Sequence, residues 1–371
     1  MKTNAPCIPP KLPVEDLNWR SLLPLVSRAN AAIARYDGIL ETLPNPAVML
    51  SPISANEAVL SSRIEGTQAT LEEVLQQDAG IEQDKARFAD IEEIRNYRAA
   101  LRLAEQELAS RPISQSLIKA IHQRLMQGVR GQNKSPGQFR NDQNWIGSPG
   151  CKLEEARFVP PSPLLLQHAM DEWSAYLARS DEDPVLQAAI AHGQFEVLHP
   201  FKDGNGRIGR MLIPLLLCQR NALSRPMFYM SEYLESKRDE YNDALLSITK
   251  YETWQHWVEF FVQAVVQQAD SNLLKVRHIL QLYNSLKQQF ISLTGSQFAV
   301  PALDAFFNHP VINASDFAEQ ARITTRATAG NLLSKLEAAN LIHRLRESSG
   351  RAPAVFALPA LLNAAEGRTI L

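Results

Sequence analysis

Residues 199–210 read HPFKDGNGRIGR, and no other run constrains this chain as tightly. The apolar run RMLIPLLLCQRNAL starts inside it, so the segment opens a buried helix. Gly204-Asn205-Gly206 strips side chains from that helix start and lets backbone N–H groups face outward. This makes an anion nest, and phosphate is its usual guest. Arg207 and Arg210 stand three residues apart and share one face of the first turn. Two guanidinium forks beside a nest suit a polyphosphate better than a single carboxylate. Asp203 would repel a bare phosphate, but it fits if Mg²⁺ lies between, because Mg²⁺ takes one or two carboxylates plus phosphate oxygens. His199 is the group here that takes a proton readily near neutral pH. Phe201 is expected to anchor the loop in the core, and Pro214 to kink the helix one turn after Arg210. A histidine beside a glycine turn is usually structural. The combination at this spacing is what points to chemistry.

At 371 residues the chain is too long for one ordinary core, so two or three domains are expected. Apolar residues make up 45% and charged residues 21%, within the normal range for a soluble globular protein. The formal net charge of −2 gives no global field for nucleic acid or acidic membranes and leaves only local patches. Cys7, Cys151 and Cys218 are few, odd in number and far apart. They argue against a disulfide framework or a zinc site and fit a reducing compartment. The start MKTNAPCIPPKLP has no apolar signal core, and no run reaches membrane-spanning length, so a cytoplasmic protein is expected.

Along the chain, residues 1–20 are Pro-rich and read as an extended arm. Residues 21–128 carry helical spacing, as in DIEEIRNYRAALRLAEQELA, with Ser114 placed to start the helix QSLIKAIHQRLM. Residues 130–163 are crowded with Gly, Pro, Asn and Ser, and the pieces NWIG and RFVP predict a β-hairpin. Helices are predicted at 164–179, 184–197, 231–248 and 252–292. A Thr-Gly-Ser break at 294–296 precedes a different module. The resulting division is an N-terminal helical region at 1–110, a core at 111–270, a linker helix at 271–299 and a last domain at 300–371. The expected fold class is mostly α.

HPFKDGNGRIGR resembles the signature of the Fic family, His-x-Phe-x-Asp/Glu-Gly-Asn-Gly-Arg-x-x-Arg, at every defined position. The likeness extends over roughly residues 50–260, including GQFR, the VPP exit of the hairpin and the helix before His199. It implies a helical core with a hairpin flap and transfer of AMP from ATP to a hydroxyl of a target protein, with Mg²⁺. It implies His199 as general base, Asp203 as the Mg²⁺ ligand, and Gly204, Asn205 and Gly206 as the anion hole. Arg207 and Arg210 would hold the outer phosphates, Arg210 the γ-phosphate. The related Doc-type kinases have Lys where Gly206 stands, so nucleotidyl transfer is favoured over phosphorylation. The residue-level reading agrees, since phosphoryl-type transfer is mostly positioning plus charge stabilisation.

LSSRIEGTQAT, residues 60–70, lies on a predicted helix interrupted at Gly66. Alone, Glu65 reads as a solvated helix carboxylate. Beside the main motif, Ser61, Glu65 and Gly66 resemble the inhibitory helix of many Fic proteins, Ser/Thr-x-x-x-Glu-Gly/Asn. There the glutamate pairs with the second motif arginine, here Arg210, and blocks the seat of the γ-phosphate. In some relatives it assists removal of AMP, so a hydrolase that reverses the modification stays open. The 141–161 hairpin resembles the family flap, on which a target segment adds as a strand, with Ile146 and Gly147 at the nucleotide edge. Tyr233 and Glu235 are candidates for the adenine wall. Modification of the chain itself and a homodimer are further expectations.

Residues 300–371 resemble a winged helix-turn-helix. Thr324 or Thr325 would cap its second helix, Leu332, Leu333 and Leu336 would form its core stripe, and LIHRLRESSGRAPAVFAL its wing. Arg322, Arg326, Lys335, Arg344, Arg346 and Arg351 give it a basic bias suited to DNA phosphates. Asn331 is the only base-reading amide on the second helix, so protein docking competes with DNA binding. A DNA-binding regulator using the Fic core as nucleotide sensor is the remaining alternative.

Overall fold

The computed structural model of the protein describes residues 5–128, 133–148 and 150–369. Residues 5–18 form no helix or strand. The helical N-terminal region holds α1 (Trp19–Thr42), α2 (Pro46–Met49), α3 (Ser51–Ile64), α4 (Leu71–Asp78), α5 (Lys85–Leu108) and α6 (Gln115–Leu125). There follow α7 (Pro163–Leu177), α8 (Pro184–Leu198), α9 (Asn205–Gln219), α10 (Ser231–Ser236), α11 (Arg238–Lys250) and α12 (Gln255–Thr294). The remainder is α13 (Ala299–Asn308), β1 (Val311–Asn313), α14 (Ala314–Gln320), α15 (Arg326–Ala338), β2 (His343–Arg346), β3 (Val355–Ala357) and α16 (Pro359–Glu366).

The chain divides into two compact units built from separate segments. The first takes residues up to Asp37, Leu60–Gly66 and Asn96–Asp270. Its centre is α8, whose sequence has no polar stripe and whose residues are buried nearly all round. Asp183 caps α8 by accepting from the amides of Val185 and Leu186, and Pro184 occupies the first helical position. Close approach is possible because Gly193 lacks a side chain: a Cβ there would stand 2.6 Å from Trp257 Nε1. Trp257 and Trp173 each donate an indole N–H to a carbonyl of α8, Ala189 and Ala191, at 2.8 Å. Ser114 caps α6 by accepting from the amide of Leu117 at 3.3 Å. The helix α9 runs on past Pro214 to Gln219.

Two local expectations change. Among the described residues the predicted hairpin reduces to a single bridge, with Ile146 N–H donating to Phe158 O (2.8 Å) and Phe158 N–H to Ile146 O (3.1 Å). Proline at 160 and 161 supplies no donors to extend the ladder, and Val159 O accepts from Cys7 N–H of the N-terminal arm instead (3.0 Å). Between the paired residues lies a 3₁₀ turn, Leu153–Glu155; Pro149 of this segment lies outside the described residues. The helix predicted at 231–248 breaks at Lys237 into α10 and α11, with neither glycine nor proline to announce it. The helix predicted at 252–292 forms as α12, one helix of 40 residues.

The second unit takes Gly38–Val59, Thr67–Arg95 and residues from Ser271 onward. Thr70 and Glu73 form a reciprocal capping box at the start of α4. The elements α14, α15, β2 and β3 follow the predicted order of helix, turn, helix and two strands. An additional strand, β1, joins them in an antiparallel sheet ordered β1-β3-β2. Thr325 is the residue that caps α15, and Leu332, Leu333 and Leu336 are buried. Half of the six basic residues are engaged inside this unit. Lys335 donates to Thr294 O, Arg344 pairs with Glu337 and Glu347, and Arg346 donates to Gly80 O and Pro353 O. Arg322, Arg326 and Arg351 are exposed. Among the described residues no helix is long and apolar enough to cross a membrane.

Candidate active site

The site is built on the turn from α8 to α9. His199 closes α8 in the left-handed region (φ 47°, ψ 58°), its amide donating to Phe195 O at 2.9 Å. Phe201 is fully buried and lies flat against the His122 ring of α6, with centroids 3.7 Å apart. His122 Nδ1 accepts from Gly137 N–H (2.8 Å), so Nε2 carries the proton and donates to Asp203 O (2.9 Å). Asn205 completes the turn: its Oδ1 accepts from Phe201 N–H and its Nδ2 donates to Phe201 O, both at 2.8 Å. Gly204 has φ +79°, which favours glycine, and an added Cβ would lie 3.1 Å from Met126 Sδ. These contacts leave the first amides of α9 without helical acceptors at a fixed position.

Arg210, one turn into α9, is buried with 2% side-chain exposure. Its Nε donates to Ser61 Oγ (2.8 Å), and its terminal nitrogen donates to Ser61 O (2.8 Å) and Glu65 Oε1 (2.7 Å). Gly66, with φ +105°, ends the α3 segment just beyond Glu65. The pair presses on the helix start, because a Cβ on Gly206 would stand 2.3 Å from Glu65 Oε1. Arg207 is also buried, and its guanidinium lies 3.4 Å from Asp203 Oδ1.

A cavity of about 700 Å³ opens at this place. Glu65, Ile146, Gly147, His199, Gly206 and Arg210 all line it. Ser61 supports Arg210 from behind, while Asp203, Gly204, Asn205 and Arg207 shape the loop and helix start next to it. Tyr233 and Glu235 are not among the lining residues. The wall opposite is instead α11, through Arg238, Tyr241, Asn242, Leu245, Leu246 and Thr249. Their spacing of three and four marks one face of a helix, and that periodicity was the signal available in the sequence.

Burial governs the charges. It depresses His199 to about 4 against the upward pull of Glu65, with Arg140 adding to the depression, so the imidazole is neutral at pH 7. Burial raises the Glu65 carboxyl, but Arg210 overrides it, helped by Arg207 and His199, and holds Glu65 below its ordinary value. Glu196, one turn before His199, is pushed up to about 8 by burial, with Arg210 opposing and Glu65 reinforcing. Among the described residues its Oε1 makes no hydrogen bond. His192 Nδ1–H donates to Gly209 O and its Nε2 accepts from Tyr241 O–H, both at 2.9 Å, a relay that ties α8, α9 and α11 together.

A buried histidine, a glycine-opened helix start and a buried arginine line one cavity of a mostly helical protein. The chain belongs to the Fic/DOC family. The family's N-terminal model matches residues 23–106 and the Fic/DOC model residues 112–217, together more than half of the chain. A probable protein adenylyltransferase of Aquifex aeolicus is 25% identical over 255 residues, 66% of this chain and 74% of that one. A protein adenylyltransferase of Caenorhabditis elegans is 32% identical over 136 residues, 34% of this chain and 24% of that protein. The chain thus spans about a quarter of the length of that relative. The crystal structure of a Fic family protein from Desulfovibrio desulfuricans shares the fold, with a TM-score of 0.58 at 21% identity over 94% of this chain and 98% of that one.

Proposed function

We propose that this chain is a protein adenylyltransferase that moves AMP from ATP to a hydroxyl side chain of a target protein, and that Glu65 restrains it. The observation that carries the reading is the shared cavity wall: neutral His199, the open start of α9 at Gly206, and Arg210 with Glu65 bound to it at 2.7 Å. The names of the relatives point the same way. In this reading the α9 amides and Arg210 hold the phosphates, with Arg207 adding positive charge at the helix start. His199 takes the proton as the target oxygen bonds to the α-phosphorus, and diphosphate leaves. Asn242 offers a side-chain donor and acceptor to the purine edge, and Leu245 and Leu246 offer apolar surface.

Asp203 fits a Mg²⁺ ligand. Its side chain is 43% exposed, and Oδ1 faces Gly204 N–H and Arg207, which leaves the other oxygen available. When bound, the ion would offset phosphate charge. The target would dock along the 141–161 flap, and the chain itself can serve as target. An ionised Glu65 open to the cavity also suits orientation of a water for the reverse, hydrolytic direction. For the second unit, internal engagement of half the basic residues gives DNA no advantage over a protein partner. Incubation with α-labelled ATP tests the main reading: label on protein supports it, and release of AMP from modified protein without any forward labelling favours the hydrolase.

A further inference from the structure

The segment Gly137-Gln138-Phe139-Arg140 takes no part in the chemistry above, yet it brackets the loop that carries His199. Gly137 N–H fixes the His122 tautomer, and the Phe139 ring packs on Phe201 with centroids 5.3 Å apart. Arg140 does more. It is 3% exposed, and among the described residues it forms no ion pair; its donors go to backbone carbonyls. Nε donates to His199 O (3.0 Å), one terminal nitrogen to Pro161 O (2.5 Å) and Leu198 O (3.3 Å), and the other to Asp142 O (3.2 Å). The Arg140 amide donates to Pro200 O at 2.8 Å. Three successive carbonyls, of residues 198, 199 and 200, therefore converge on one residue. They can converge because His199 reverses the chain in the left-handed region, a conformation unusual for a residue with a side chain. Carbonyls at a helix end need partners, and here a buried cation supplies them.

The ring itself has little to hold it. His199 Nδ1 is buried, and the one group that reaches it is the Glu196 carbonyl of its own helix, through a weak backbone contact. A histidine base is commonly aimed through that nitrogen. A single weak backbone contact leaves much of the aiming to the turn itself.

We propose that Arg140 is the positioning residue for His199: its guanidinium holds the left-handed turn that aims the imidazole and ties that turn to the exit of the flap at Pro161. The proposal rests on the reading of His199 as the base. A mere structural cap would hold the backbone too, but Arg140 also places a positive charge beside the ring. The charged groups acting on His199 are Glu65 just past α3, Arg140, and Asp203 from the following loop, while Glu196 acts through its backbone carbonyl. Removing the Arg140 charge relieves the imidazolium of a like charge, so the ring should titrate at higher pH.

The test compares Arg140→Lys and Arg140→Met in full-length Glu65→Gly protein, in which transfer is measurable. Lysine keeps the charge and loses the planar fork. Its kcat for AMP transfer should fall about ten-fold or more, with KM for ATP within about two-fold and the His199 titration by NMR unmoved. Methionine should lose transfer as well and move the ring titration upward by about half a unit or more. Wild-type kcat in the lysine variant, or an unmoved titration in a folded methionine variant, overturns the proposal. If only the methionine variant fails to melt cooperatively, the lysine kcat decides. Failure of both to fold reduces Arg140 to a structural cap and also overturns it. If Glu65→Gly protein transfers no AMP at all, the proposed function falls, and the methionine titration still decides whether Arg140 acts on His199.

Discussion

His199 combines two properties that pull apart: enough burial to keep it neutral and enough access to the cavity to reach a ligand. Its ring should titrate at about 4 in the free protein, which NMR can read; a value near the ordinary 6.5 would contradict the burial argument. A group depressed in this way is a base over the whole range above its own value. The acid limb of AMP transfer should therefore lie below pH 6.5. Replacing the residue separates binding from chemistry: His199→Ala should still bind ATP, since the phosphate seats are elsewhere, and should lose transfer by about 10²-fold or more. Near-normal transfer by that variant would remove His199 from the mechanism. The motif residues were legible in the sequence because their spacing along one turn and one helix start already dictates that they meet. His122, Arg140 and Glu196 were not legible as site residues. His122 and Arg140 reach the loop only through the packing of distant segments, and Glu196 reads from sequence as one more residue of a buried helix.

Helix α8 is hydrophobic enough to be recognised as central, and its boundaries follow from Asp183-Pro184 at one end and the His199-Pro200 turn at the other. What periodicity could not show is how α8, α9 and α11 are locked together. Tyr241 O–H donates to His192 Nε2, and His192 Nδ1–H reaches Gly209 O. Tyr241→Phe leaves a buried nitrogen without its donor and should cost about 1–3 kcal/mol in urea unfolding, with an unchanged m value. A change below about 0.5 kcal/mol would mean that the relay adds little to stability. Composition overstates the flap. Two short runs rich in strand formers looked like a hairpin, but consecutive prolines and the arm residue Cys7 took the pairing groups that a second rung needed. The unannounced break at Lys237 sets the face of α11 that begins at Arg238 along the cavity, while Tyr233 and Glu235 lie on α10 outside its lining.

Over the whole chain, the decisive contact joins residues 145 positions apart, Glu65 and Arg210. The segment Leu60–Gly66 belongs to the same compact unit as the motif, although its sequence neighbours on both sides belong to the other. A ligand that needs Arg210 must compete with this carboxylate. Mg²⁺–ATP should therefore raise the melting temperature of Glu65→Gly protein more than that of wild type, and more than AMP does in either protein. Equal shifts for ATP and AMP, or indifference to a chelator, would count against a triphosphate seat. On the proposed function, the Glu65–Arg210 pair restrains an adenylyltransferase. The most direct measurement is the initial rate of label transfer from α-labelled ATP to protein for wild type, Glu65→Gln, Glu65→Ala, Glu65→Gly and Arg210→Ala. Glutamine and alanine remove the charge while keeping better helix propensity than glycine. All three Glu65 variants should exceed wild type by about ten-fold or more, because a phosphate misplaced by about 1 Å can cost on the order of 10² in rate, and Arg210→Ala should abolish transfer. Glutamine and alanine variants no faster than wild type, with Arg210→Ala still inactive, would mean that Arg210 matters but the pair does not restrain transfer.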